Sequence, residues 1–422
     1  MAFTLIANAT LIDGTGAAPI TDAAILIEDG RIRAVGRADS IKLPDSDITR
    51  IDAGGGYILP GFIDAHVHMW HDDFDVMREM TDPLSLNFFR AIGNMKRTVE
   101  AGITTVRDAG GSDLGMKMAV DKGLVVGPRM QISITVMSTT GGHIDYWQPS
   151  GANLDEMFPY PGRPSGISDG VDGVRHKVRE ILRSGADIIK ICTTGGVMSP
   201  MDDPQDAQYS MDELRAIVEE ANARRHTKVM AHSQGAQGTK NAVRAGIHSI
   251  EHGIFLDQEA IDLMLEAGTF LVPTLIAIPG ILEMHETKHN MPEWGVRKAR
   301  ELLDVHKESI GKAYKAGVKI AMGTDVPVVP HGQNLRELCL MNGVGMSPMD
   351  VIVATTRTAA ECLGWQDKIG TLETGKLADV VISKIDPLAD LRSLENVDNI
   401  ALVMKEGNIV KNQLVSPHSS ST

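Results

Sequence analysis

Cysteine is scarce in this sequence of 422 residues. The three cysteines, Cys192, Cys339 and Cys362, lie far apart and form no Cys-x-x-Cys pair. They are too few for a disulfide framework, and their spacing provides no structural zinc site. We therefore expect them to be small buried hydrophobic residues.

Long apolar runs are also absent. No window of about 18 uncharged apolar residues occurs, so the sequence predicts no membrane-spanning helix. The first residues, MAFTLIANATLIDGTG, lack the basic segment and the apolar segment of a secretory signal. We expect a cytoplasmic protein that does not associate with membranes.

Positively charged residues are fewer than negatively charged ones. The chain has 41 Lys and Arg residues and 55 Asp and Glu residues, which gives a formal net charge of −14. Nucleic acid phosphates would be repelled unless a strong local basic patch existed, and the sequence contains none. We therefore predict that the partner is a small-molecule substrate and exclude nucleic acid.

The chain changes character twice along its length. Residues 1–58 contain short β segments separated by turns such as Asp13-Gly14, and β character returns in 368–422. We predict that these two terminal pieces form one small β domain. Residues 59–367 alternate helical and short apolar stretches, which is typical of βα units around a parallel sheet in an α/β fold.

One joint recurs in this central region: a small residue and a glycine end a helix just before an apolar run. Glycine adopts the left-handed conformation that commonly ends helices. Five copies of the joint indicate a closed or wound sheet, and they are Ala101-Gly102, Ser184-Gly185, Ala245-Gly246, Ala267-Gly268 and Ala316-Gly317. Ser210 and Glu213 additionally predict a capping box at the start of a helix over 211–225.

The first candidate ligands are His66 and His68, which follow an apolar segment in ILPGFIDAHVH. On a strand, residues two apart point to the same face, so these imidazoles project together. The chain has 14 histidines, so a single His-x-His triplet is a weak signal by itself. Further candidate ligands at other strand ends strengthen it.

Lys190 lies in the apolar strand ADIIKICTT. A buried, unpaired ammonium would lose its proton, and the resulting amine can add carbon dioxide to form a carbamate that bridges two metal ions. A lysine that reaches solvent or pairs with a carboxylate is the alternative.

Three more candidates each close a predicted strand: His232, His252 and Asp325. Each has an alternative interpretation, as a hydrogen-bonded core histidine or as a turn-capping aspartate. Carboxyl ends of parallel strands converge on one face, so all these groups would meet there. Imidazole and carboxylate-type ligands suit zinc.

These elements, in this order and together with the closing phrase GTLETGKLADVVI, resemble the amidohydrolase superfamily of metal-dependent hydrolases over essentially the whole chain. The resemblance implies a (β/α)₈ TIM-like barrel over 59–367 and a β-sandwich built from 1–58 and 368–422. It also implies that His66, His68 and Asp325 bind one metal ion, that His232 and His252 bind the other, and that carboxylated Lys190 bridges them.

The stretches TTVRDAGG and VPVVPHGQNLRELCLM, with Gly141-Gly142-His143, are similar to the imidazolonepropionase-like branch, which includes Xaa-Pro dipeptidases, carboxypeptidases and ochratoxin-type amidases. In that branch the residue matching His143 helps to polarise the substrate carbonyl. Gln234 stands where relatives often have a substrate-contacting tyrosine. His331 follows the last strand and is a further candidate substrate contact, or else a solvated loop histidine.

The resemblance therefore implies a binuclear enzyme that cleaves an amide bond of a peptide, an N-acyl amino acid or an ochratoxin-type amide, and it favours a homo-oligomer. A hydroxide bridging the two ions would attack, and Asp325 would act as general base and then general acid. The same site could instead hydrolyse carbamates, ureas or cyclic amidines such as imidazolones. A non-catalytic scaffold is a remote third hypothesis, because all six expected ligands are present.

Overall fold

The computed structural model describes residues 2–73, 75, 78, 81–148, 150–153, 160–288 and 291–414. Strands and helices alternate through the middle of the chain, as the glycine joints predict. The strands are β1 Phe3–Leu11, β2 Ile20–Glu28, β3 Arg31–Arg37, β4 Ile48–Asp52, β5 Tyr57–Pro60, β6 Phe62–Val67, β7 Ile103–Asp108, β8 Arg129–Ile132, β9 Val136–Met137, β10 Ile189–Cys192, β11 Val229–Ser233, β12 Ser249–His252, β13 Phe270–Val272, β14 Val380–Ser383, β15 Ile400–Lys405 and β16 Asn408–Asn412.

The α-helices are α1 Leu84–Glu100, α2 Leu114–Asp121, α3 Gly170–Arg183, α4 Met211–Asn222, α5 Ala236–Arg244, α6 Gln258–Ala267, α7 Ala277–Lys288, α8 Glu293–Ala316, α9 Arg336–Gly343, α10 Pro348–Thr355 and α11 Arg357–Leu363. The predicted capping box of Ser210 and Glu213 is confirmed at the start of α4. All five joint glycines have positive φ, from 66° at Gly268 to 101° at Gly185. Within the described ranges, no helix is long and apolar enough to cross a membrane.

The chain forms one terminal sheet and two parallel sheets. Both chain ends contribute to an eight-stranded sheet with the order β16-β15-β14-β5-β1-β2-β3, and β4 pairs with β1. Buried aliphatic residues such as Ile6, Ile25, Ile58, Val380 and Leu402 form the core on this sheet. The predicted β-sandwich domain boundaries stay a prediction, and residues 415–422 lie outside the described residues.

The central region contains the parallel sheets β13-β12-β11-β10-β9 and β6-β7-β8. Backbone hydrogen bonds connect the two sheets through residues 320–326. Leu271 in β13 pairs with Ile320, and Val67 in β6 pairs with Val326, both in parallel orientation. On the other side, the Asp187 amide donates to the Ile132 carbonyl at 2.8 Å. The architecture is therefore mixed α/β, with parallel sheets that share one strand direction.

Candidate metal centre

The six predicted ligands lie in or just after parallel strands, or in the segment that pairs with them. His66 is in β6 and His68 follows it, Lys190 is in β10, and His232 and His252 are near the ends of β11 and β12. Asp325 lies in the segment that pairs with β6. The parallel topology thus brings distant sequence positions to one edge of the sheets.

His66, His68 and Asp325 form one compact group. The Asp325 Oδ1 atom lies 3.3 Å from His66 Nε2 and 3.2 Å from His68 Nε2. One potential ligand atom from each residue lies within 4.8 Å of the others. Because metal-ligand bonds to zinc are about 2.0–2.2 Å long, atoms at these separations can share one ion.

The other ring nitrogen of each histidine in this group is held by a protein acceptor. His66 Nδ1 lies 2.7 Å from Glu251 Oε2, and His68 Nδ1 lies 2.8 Å from the Gly110 carbonyl oxygen. These contacts orient the rings and leave Nε2 for a metal ion, as is usual for metal-binding histidines. Burial lowers the pKa of His68, but the carboxylate of Asp325 outweighs burial and leaves this pKa raised.

Lys190 lies beside this group and is only 3% exposed. Its Nζ atom is 3.3 Å from His66 Nε2. Burial lowers the pKa of Lys190 from its usual value, against the attraction of Glu251. The structure therefore favours a less basic amine at this position over a lysine that extends into solvent.

His232 and His252 complete the cluster. The ring centroids of His232 and His252 lie 4.6 Å apart, and those of His66 and His252 lie 5.1 Å apart. His232 Nε2 is 3.0 Å from the Gly195 carbonyl oxygen, and His252 Nδ1 is 2.7 Å from Thr274 Oγ1. Burial lowers the pKa of both histidines well below its ordinary value, which keeps them neutral and suited to binding a cation.

Behind His66 is a buried ion pair that the sequence analysis missed. Arg107 and Glu251 both have fully buried side chains, and their Nη2 and Oε1 atoms are 2.9 Å apart. Burial alone would raise the pKa of Glu251, but the charge of Arg107 and the hydrogen bond to His66 lower it to about 2. The sequence did contain a signal for this pair, because each member is a charged residue inside an apolar strand. The same signal identified Lys190.

Asp64 fixes the backbone that leads to Asp325. Its carboxylate accepts hydrogen bonds from the Thr324 amide at 3.1 Å, from Thr324 Oγ1 at 2.6 Å and from Asn334 Nδ2 at 2.8 Å. Burial raises the pKa of Asp64 to about 6. A Cβ atom at Gly323 would lie 2.9 Å from His66 Cβ, so glycine permits this close approach.

Two of the expected ligands have a left-handed backbone. The φ angle is 74° at His252 and 62° at Asp325. Residues other than glycine rarely adopt this conformation. The backbone strain that it causes occurs most often at functional sites. The surrounding hydrogen bonds, including that of Thr274 to His252, hold these residues in place.

The three predicted substrate contacts differ in their surroundings. The His143 ring stacks on His232 with centroids 4.1 Å apart, and burial lowers its pKa to about 4, although Asp202 acts in the opposite direction. Gln234 is 5% exposed, and among the described residues no hydrogen-bond partner exists for its Oε1 atom. His331 is 3% exposed rather than solvated, and its Nε2 atom lies 2.8 Å from the His71 carbonyl oxygen.

A cavity of about 480 Å³ opens beside the loop that carries His143. Its lining includes Thr140, Gly141, Asp145 and Trp147. This space is lined by acidic and aromatic groups, and none of the predicted ligands or substrate contacts is among its described lining residues.

Comparison with known proteins agrees with this geometry. The sequence profile of the amidohydrolase family matches residues 57–410. Ochratoxinase from Aspergillus niger is 34% identical over 428 residues, which cover 98% of this chain and 88% of that protein. The crystal structure of an amidohydrolase superposes with a TM-score of 0.91 at 38% identity, covering 98% of this chain and 100% of the other.

A further solved structure, a Xaa-Pro dipeptidase with methionine bound in the active site, superposes with a TM-score of 0.86 at 34% identity, covering 97% of this chain and 99% of the other. The predicted family resemblance is thus confirmed over nearly the whole length. The chain belongs to the amidohydrolase family and is a hydrolase that acts on amide bonds.

Proposed function

We propose that this protein is a binuclear metal-dependent amidohydrolase that cleaves the amide bond of an N-acyl amino acid, a dipeptide or an ochratoxin-type amide. One observation carries the proposal: each of the four clustered histidines has one ring nitrogen held by a protein group, so the other can face a cation. In this assignment His66, His68 and Asp325 hold one ion, and His232 and His252 hold the second.

Lys190 is assigned as the bridge between the two ions. Its buried amine, with a lowered pKa, is suited to add carbon dioxide: the nitrogen would form a bond to the carbon and release one proton to solvent, which leaves an anionic carbamate. The neutral imidazoles and oxygen ligands form a donor set that zinc accepts. Two such ions, when bound, would lower the pKa of a water molecule and polarise the substrate carbonyl.

Asp325 moves the proton in this proposal. Burial opposes its ionisation, but without bound ions the charge of His66 and hydrogen bonds from His66 and His68 lower the pKa of Asp325 well below its ordinary value. Cations at the two Nε2 atoms would replace these donors and keep Asp325 ionised. It is therefore a carboxylate at neutral pH and can accept a proton from the attacking water. It would then deliver that proton to the departing nitrogen, acting first as general base and then as general acid.

The proposal includes a closed (β/α)₈ barrel as the frame of the site. The pairings of Leu271 with Ile320 and of Val67 with Val326 support closure on one side. The hydrogen bond between Asp187 and Ile132 supports it on the other side. In such a barrel, the ends of several strands present their side chains at one mouth.

The substrate proposal takes its chemistry from the relatives. Ochratoxinase and Xaa-Pro dipeptidase are the named activities of two similar proteins. We propose an amide whose hydrolysis releases an amino acid, with the buried Gln234 oxygen and His331 as polar contacts. A homo-oligomeric assembly and a cytoplasmic location stay predictions.

Metal content and hydrolysis, measured together, test this function. Purified protein should contain close to two metal equivalents per chain and should release an amino acid from one member of a panel of N-acyl amino acids, Xaa-Pro dipeptides and ochratoxin A. Phenylureas and carbamates belong in the panel because carbon dioxide or ammonia release would indicate the other hydrolase class. Chelation should abolish cleavage.

A matched pair of histidine variants controls for indirect effects. His66→Asn should lose metal and activity, whereas His176→Asn, on the exposed face of α3, should retain both. A well-folded wild-type protein without metal, even after incubation with zinc and bicarbonate, would contradict the ligand assignment.

A further inference from the structure

Residues 331–337 connect the segment that carries Asp325 with helix α9, and we call them the supporting segment. Two of its side chains, those of Asn334 and Glu337, belong to residues that are 0% exposed. The Glu337 amide donates to the Asn334 carbonyl oxygen at 3.2 Å, so the backbone turns between them. As a result the two side chains contact the regions of two different strands, β6 and β13.

The Asn334 side chain contacts Asp64 in β6. The Gly332 amide donates to Asn334 Oδ1 at 3.1 Å, which identifies this atom as the acceptor and leaves Nδ2 as the donor. Asn334 Nδ2 then donates to Asp64 Oδ2 at 2.8 Å. The same carboxylate oxygen accepts a hydrogen bond from Thr324 Oγ1 at 2.6 Å. Asn334 therefore helps to hold the carboxylate that binds Thr324.

Asp64 in turn connects the backbones of two predicted ligands. Its Oδ1 atom accepts from the amides of His66 and Thr324, both at 3.1 Å. The Asp325 amide donates to the His66 carbonyl oxygen at 2.8 Å. Because Asp325 has a left-handed backbone with a φ angle of 62°, such contacts are needed to hold it in place.

The Glu337 side chain contacts the segment that follows β13. Its Oε1 atom accepts from the Leu275 amide at 2.8 Å, and its Oε2 atom accepts from the Ile276 amide at 2.7 Å. Thr274 directly precedes these residues and has a left-handed backbone with a φ angle of 47°. Thr274 Oγ1 lies 2.7 Å from His252 Nδ1. Glu337 therefore fixes the backbone that presents the Thr274 hydroxyl to a predicted ligand.

The burial of Glu337 does not serve stability. Burial raises the pKa of Glu337 well above its ordinary value, against the two amide hydrogen bonds. A carboxyl whose pKa is raised by folding destabilises the folded state at pH values above its ordinary pKa. A residue that breaks the rules of core packing in this way is expected at a functional site.

We propose that Asn334 and Glu337 are positioning residues that support different metal ions. Asn334 keeps Asp325 in place for the first of the two assigned ions, and Glu337 keeps His252 in place for the second. One short segment thus supports both ions through separate side chains. The inference rests on the ligand assignment in the proposed function, and it concerns metal binding rather than turnover.

Zinc titration of the full-length metal-free protein tests this separation. Asn334→Leu removes the donor at similar size, and Glu337→Gln replaces one of the two acceptor oxygens with a donor. Each variant should weaken one zinc equivalent by about 10- to 100-fold and leave the other unchanged. The two variants should affect different equivalents. His68→Asn and His252→Asn, each of which removes one assigned ligand, identify which equivalent is which.

The matched control is Arg336→Gln, in the same segment. Arg336 pairs with Glu283 at the surface, with Nη2 and Oε2 2.8 Å apart, so this variant should leave both equivalents unchanged. Circular dichroism and urea unfolding of the metal-free variants check their folding. If either variant does not fold, Asn334→Ser or Glu337→Asp, which shorten the same side chains, take its place with the same expectation.

The outcomes separate this inference from the proposed function. Folded variants that bind both equivalents as wild type does, or that weaken both equally, would overturn the inference, because equal weakening indicates general structural support. Wild-type protein that binds no zinc would contradict the ligand assignment itself, and the inference would fall with it.

Discussion

The two ends of the histidine cluster are stabilised in different ways. His66 and Asp325 mark a charged end, where the Glu251 carboxylate contacts His66 and is itself paired with Arg107. His232 and His252 form a neutral end, where the contacts are the Gly195 carbonyl oxygen and the Thr274 hydroxyl. Since negative charge at and behind ligands strengthens cation binding, we expect the first metal ion to bind at the charged end.

The two ends also differ in their exposure to solvent. At the charged end the Asp325 side chain is 21% exposed, although Glu251 behind it is 0% exposed. At the neutral end His232 is 6% exposed and His252 is 5% exposed. The neutral end is therefore the more enclosed of the two.

The largest effect should come from Asp325→Asn, which removes the negative charge and the proton acceptor at the charged end while preserving shape. We expect kcat to fall by about 10²- to 10⁴-fold, the usual contribution of a general acid–base group, with a much smaller change in KM. Steady-state kinetics on protein of measured metal content would show this. A kcat within a few-fold of wild type at full metal occupancy would remove Asp325 from the proton path.

Glu251→Gln should weaken the fold itself. The variant leaves the Arg107 guanidinium buried without its charged partner, a change that costs about 3–5 kcal/mol in the free energy of unfolding. Urea denaturation of the metal-free protein measures this cost without a contribution from metal binding. The matched control is Glu259→Gln, which alters the ion pairs of an exposed carboxylate with Lys240 and Arg244 and should change stability very little.

Acid should reduce the contribution of Glu251 to the free energy of unfolding. The pKa of Glu251 in the folded protein is about 2, below its ordinary value of 4.5. Its stabilising contribution, about 3 kcal/mol from this difference, is present above pH 4.5 and is lost as the pH falls through about 2. The stability gap between wild type and Glu251→Gln should therefore narrow over this range, and a gap independent of pH would contradict the charge-based account.

The sequence could indicate these candidate ligands because each is a polar residue in or at the end of an apolar segment. The same signal was present for Arg107 and Glu251, but their partnership joins residues 144 positions apart and becomes visible only when β7 and β12 are placed in space. Asp202, whose charge acts on His143, lies in a loop with no hydrophobic periodicity, so no sequence pattern connects it with His143. The five joint glycines predicted the alternation of helices and strands. Each adopts the left-handed conformation that commonly ends a helix and that other residues disfavour.

The smallest effect should come from Thr274→Val, which removes the hydroxyl that contacts His252 Nδ1 and keeps a similar shape. Loss of a hydrogen bond that orients a ligand typically weakens metal binding by about 10- to 100-fold. Zinc titration should show this loss in the second equivalent only, with the first equivalent binding as in wild type. If Thr274→Val weakened the first equivalent instead, the order of filling would be reversed, and the neutral end would be the tighter site despite its uncharged partners.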